Sequence, residues 1–178
     1  MAVKTFTTGS VLTASDTNTY LANSGLVYVT SATVGSGVSS VTVSNAFSST
    51  YDNYRIVIAG IASSASGSSL RFQLNNSTGS TYSMGGIFAS FGSTTINGYG
   101  PTVQTLWTDF SAADTTSQAA GMDLFAPFLT ARTMFLCNSV RTGGGSAWYM
   151  MTGQDTSTAS NTGFTITPIS GTLTGGTI

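Results

Sequence analysis

The stretch Tyr54-Arg55-Ile56-Val57-Ile58-Ala59-Gly60-Ile61 decides the fold. Its β-branched residues are stiff at χ1 and fit a pleated, half-buried surface. Positions 54, 56 and 58 are apolar on one side, and positions 57, 59 and 61 are apolar on the other. A period of two reads as a strand. Apolar residues in both phases predict a strand covered on both faces, within a sandwich or at an interface.

Outward from this strand the same rhythm continues. Leu70-Arg71-Phe72-Gln73-Leu74 alternates, with Leu70, Phe72 and Leu74 inward and Arg71 and Gln73 outward. The polar run Asn75 to Ser80 ends it as a turn. Further strands are expected at 26–29, at Val38 with Val41-Thr42-Val43, and at 81–90, 101–109, 119–126, 132–139, 147–152 and 163–169. A last strand is expected within 172–178. Asn97-Gly98 and Gly143-Gly144-Gly145 read as turns. About nine or ten short strands at this spacing predict an all-β antiparallel sandwich or jelly roll.

Composition narrows the function. The 178 residues suit one domain, and only 6% are charged, against about 25% in ordinary soluble domains. There is no His and no Glu, Lys4 is the single lysine, and the formal net charge is −1. Such a chain lacks the basic field that phosphate backbones need, which argues against nucleic-acid binding. It also lacks the basic cluster that an anionic membrane surface attracts. No apolar run approaches the roughly 18 residues of a membrane helix, so no membrane insertion is expected. Residues 1–9 show no apolar h-region, so no secretory signal is expected. A surface with few charges is poorly soluble unless copies or partners cover it, which points to a homo-oligomer. Cys137, inside Met134-Phe135-Leu136-Cys137, reads as a buried small hydrophobe.

Residues 1–25 differ from the rest. Thr13-Ala14-Ser15-Asp16 has the form of a helix N-terminus with a shortened reciprocal cap, 17–22 would complete its two turns, and Asn23 and Gly25 suit its end. The expected organisation is a segment over 1–25 and a β-domain over 26–178.

Catalysis finds little to work with. Without His there is no Ser-His-Asp triad and no ordinary proton shuttle. Paired-carboxylate chemistry would need two of Asp16, Asp52, Asp109, Asp114, Asp123 and Asp155, brought together by the fold. Asp52-Asn53 and Asp114-Thr115 read as turn residues rather than calcium ligands. No cofactor or metal is expected, and the chain reads as a non-enzyme. Arg55 lies three residues from Asp52 and suits a local ion pair. Among the aromatics, Trp107, Trp148, Tyr149 and Tyr99 are candidates to stack on a host glycan or meet a protein partner, set against the plainer reading of core or subunit interface. Trp148 follows the glycine run and is the one best placed for exposure.

The segment Thr8-Gly9-Ser10-Val11-Leu12-Thr13-Ala14-Ser15-Asp16-Thr17-Asn18-Thr19-Tyr20-Leu21 resembles a short N-terminal motif of bacteriophage tail and fibre proteins. Asn45 to Ile58 resembles a second segment of the same proteins, and the ending from Ile169 to Ile178 is similar to theirs, without their final Tyr-Gly strand. The resemblance implies a virion protein whose N-terminal segment docks on the particle, through Val11, Leu12, Asn18, Tyr20 and Leu21, ahead of a β-sandwich. It also implies a homotrimer in contact with other virion proteins. Two placements follow: a tail fibre or tail-associated protein for host attachment, and a capsid decoration protein that stabilises the head. A depolymerase has the least support.

Overall fold

The computed structural model describes residues 7–11, 13–16, 25–100, 103–112, 114–143 and 146–178. The chain divides into two units, Met1–Thr30 and Ser31–Ile178. In the first, the Thr13 side chain and Asp16 cap each other. Asp16 N–H donates to Thr13 Oγ1 at 3.1 Å, and Thr13 N–H and Oγ1–H donate to Asp16 Oδ2 at 3.2 and 2.8 Å. They enclose the short helix α1, Ala14–Asp16. The expected continuation over 17–22 and the Asn23 cap lie outside the described residues. Leu26 to Val29, expected as a strand, does not form one and stays exposed.

The second unit is the expected all-β sandwich. Its strands are β1 Ser36–Val38, β2 Val41–Val43, β3 Asn53–Ser63, β4 Ser69–Leu74, β5 Tyr82–Ser90 and β6 Asn97–Tyr99. They continue with β7 Trp107–Ala112, β8 Gln118–Phe125, β9 Thr133–Arg141, β10 Ala147–Asp155, β11 Phe164–Pro168 and β12 Leu173–Thr174. One sheet has eight strands in the order β1-β12-β3-β8-β9-β10-β5-β6; the other has four in the order β2-β11-β4-β7. All pairings are antiparallel.

Trp107 sits where the sheets meet. It pairs in register with Phe72 of the four-stranded sheet. Its ring packs 4.5 Å from Phe135 and edge-on to Tyr82 at 5.2 Å, both in the eight-stranded sheet. Its indole N–H donates to the Gln154 carbonyl at 3.2 Å. Phe72 extends the cluster to Phe110 and to Phe164. The expected strand over 101–109 is broken by this arrangement. Gln104 bridges Tyr82 in the large sheet, and three residues later Trp107 belongs to the small one. Val103, at φ 57, turns the chain just before that crossing. Residues 101 and 102 lie outside the described residues.

Two glycines set the phase of β3. The ladder shifts between Ala59 and Ile61, where Gly60 takes φ 73. This bulge sends Ile61 into the core, whereas the simple alternation grouped it with Val57 and Ala59. Gly176, at φ 96, crosses directly over the bulge, and the backbones of Thr177 and Ala59 exchange hydrogen bonds of 2.9 and 2.8 Å. The expected terminal strand is therefore present as β12 and this bridge. Asn97-Gly98, read as a turn, instead forms the edge strand β6; Gly98 is not in the left-handed conformation an Asn-Gly hairpin turn requires. The reversal lies earlier, at Gly92 with φ 79.

The buried Tyr82 hydroxyl is tied down on both sides. Tyr82 OH donates to the Ser77 carbonyl at 2.6 Å and accepts from Leu74 N–H at 3.1 Å, closing the β4–β5 connection. Burial pushes its phenol up from 10.0 to about 12 and the Cys137 thiol from 9.0 to about 12. In the unfolded chain both groups ionise near their ordinary values. The stability they contribute is complete below about pH 9 and is lost as pH climbs towards 12. Urea midpoints should therefore hold from about pH 6 to 8 and fall steadily above 9, with Tyr82→Phe flattening part of the fall. Gly176→Val would place a Cβ 2.5 Å from the Ile61 nitrogen. It should cost about 2 kcal/mol or more in urea unfolding.

Candidate functional site

The four candidate aromatics do not form one platform. Trp107 is 0% exposed and belongs to the core, as the plainer reading had it. Trp148 and Tyr149 are neighbours on β10 and point to opposite sides, because side chains alternate along a strand. Tyr99 lies on edge strand β6 and donates its hydroxyl to Asp109 Oδ2. Asp109 is on β7, at φ 55, within a bulge opposite Leu70 and Phe72. Burial first, and the Asp109 carboxylate second, hold the Tyr99 phenol well above its usual range. Tyr149 is stacked on Phe88 at 5.5 Å, and the Arg141 guanidinium stands 6.0 Å over its ring. Nothing in the residue order signals the Tyr99–Asp109 or Phe88–Tyr149 partnerships, since neither pair is close in the chain. Of the N-terminal candidates, Val11 is exposed; Leu12, Asn18, Tyr20 and Leu21 lie outside the described residues.

The aspartates are dispersed. Asp123 Oδ1 and Oδ2 accept from Arg55 Nε and Nη2, both at 2.7 Å. Arg55 thus pairs across β3 and β8 rather than with nearby Asp52, because the two residues are directly opposite in the ladder. The hydrogen bond to Arg55 holds the Asp123 carboxyl below the usual range. Asp114 accepts from Thr115 N–H at 2.7 Å, which holds its carboxyl low, and Asp155 accepts from Ser157 N–H at 3.0 Å. These last two are turn contacts of the kind expected of Asp114-Thr115.

What the structure does assemble is a surface. The four-stranded sheet packs on one side of the large sheet, and β3, β8, β9, β10 and β5 present the other side. Across it, Ala59, Ala119, Val140 and Trp148 form one row. Val57, Gly121, Asn138, Met150 and Ile87 form the next. Then come Arg55, Asp123, Leu136 and Thr152, followed by Asn53, Phe125, Met134 and Gln154. Val57, Leu136, Met134 and Met150 are 58%, 51%, 50% and 51% exposed. A shallow open depression runs over Ala59, Ala119, Val140 and Met150 beside Trp148. Sugar recognition needs convergent donors and acceptors, and the residues in Trp148's own row offer methyl groups. This surface suits an apolar partner.

Comparison with protein-family models, curated proteins and solved structures returns no match.

The two tryptophans should separate cleanly on mutation. Trp107→Ala should cost about 3–5 kcal/mol, whereas Trp148→Ala should stay within about 1 kcal/mol. Chemical unfolding followed by circular dichroism reads both.

Proposed function

We propose that this protein is a non-catalytic structural component of a phage virion, working as a homo-oligomer. The observation that carries the reading is the open side of the large sheet, rich in exposed Val, Leu, Met and Ile. Monomers rarely leave so large an apolar patch bare, and such patches mark interaction sites. The resemblance of residues 8–21 and 45–58 to tail and fibre proteins supplies the setting. Dispersed aspartates and the absence of His and Glu support a role without chemistry.

In this reading residues 1–25 attach to the tail and the sandwich is displayed for host contact. Weak single contacts then gain avidity from copy number, by about 10²–10⁴. Full-length protein should bind isolated tails, and a chain lacking residues 1–25 should not. Binding to isolated heads alone would move the protein to the capsid surface as a decoration protein. Binding to neither, or release of oligosaccharide from host surface material, would overturn the proposal.

A further inference from the structure

We propose that the open face of the eight-stranded sheet packs against the same face of a second copy of this chain, about a two-fold axis running along the strands between β8 and β9. The inference rests on the assembly reading above and names the partner.

Shape is the first argument. On the β3–β8 side the two rows nearest Trp148 are built largely from small residues: Ala59, Ala119 and Gly121. On the β9–β10 side they are built largely from bulky ones: Val140, Trp148 and Met150. A two-fold axis between β8 and β9 exchanges left for right in the facing copy. It sets Trp148 of one copy over Ala59 of the other, and Val140 over Ala119. Trp148 and Val140 each meet a low position, Met150 meets Val57 as an apolar pair, and each contact occurs twice. This self-complementarity is what an isologous interface requires.

Charge is the second argument. In the four rows only Arg55 and Asp123 are charged, one of each sign. The face is neutral, so it does not repel its own copy. A strongly acidic or basic partner would find nothing to pair with. The two charges are already joined by two hydrogen bonds of 2.7 Å, so covering them strands neither.

Area is the third. About this axis β3, β8, β9 and β10 overlap their counterparts, and four strands about 4.8 Å apart with four rows about 6.8 Å apart give a projected face of roughly 500 Å². Two such faces bury roughly 1,000 Å², which meets the roughly 1,000 Å² of a specific interface.

Sedimentation equilibrium of the full-length chain tests this, at concentrations from micromolar to several hundred micromolar. The expected species has twice the 18.2 kDa chain mass. Val140→Asp and Ala119→Asp, each at an exposed position, should weaken self-association at least tenfold while leaving the circular-dichroism spectrum, and the Tm read at dilutions where the parent is monomeric, unchanged. A monomer throughout the range, or any oligomer that persists in both folded variants, a trimer included, would overturn the proposal. The tail and head binding assays are read separately. A monomeric chain that still binds tails refutes this interface and keeps the virion role. A dimer that binds neither refutes the virion role and keeps the interface.

Discussion

Trp107 is the joint on which the sandwich depends. One indole touches Phe72 on its own sheet and Phe135 and Tyr82 on the other, and its N–H is bound by the Gln154 carbonyl. Aromatic side chains bury the most area per residue and prefer the tilted and edge-on contacts seen here. A buried indole N–H without an acceptor would be costly. Position, orientation and polarity are therefore settled together, and the spacing of the sheets follows from them.

That joint gives the eight-stranded sheet two different sides. Beneath lie Ile56, Ile58, Met122, Leu124, Phe135 and Cys137, all buried. Above lie Val57, Leu136, Val140 and Met150, apolar as well and open. A strand whose outer side faces only water ordinarily alternates apolar with polar residues. On β9, Met134, Leu136 and Val140 depart from that alternation. The departure is the physical basis for reading the sheet as one layer of a larger assembly.

Much of this was legible in the residues. The period of two in 54–61 and 70–74 named the class of fold. Apolar residues in both phases of 54–61 predicted a strand covered on both faces, whereas the structure covers one and leaves Val57 and Ala59 exposed on the other. The reciprocal cap of Thr13 and Asp16 and the burial of Cys137 also followed from local rules. Other features turned on long-range partners. The bulge at Gly60 is held by Gly176, more than a hundred residues away, so Ile61 could not be placed by alternation. Leu26 to Val29 has the composition of a strand but does not form one. Trp107 and Trp148 are chemically identical, and only the crossing of the chain between sheets sends one inward. Arg55 chose Asp123 over Asp52 because ladder register brings distant residues closer than sequence does.

The margins of the two sheets carry a further consequence. β1, β2 and β6 are each three residues long, and the fourth margin, β7, is interrupted by the bulge at Asp109. A short or kinked margin offers too few aligned N–H and C=O groups to recruit a foreign strand. A chain this rich in Thr, Val and Ser, and this poor in charge, would otherwise be prone to amyloid growth. Closing the margins lets many copies be concentrated in one place while additive, end-to-end polymerisation of sheets is denied a template.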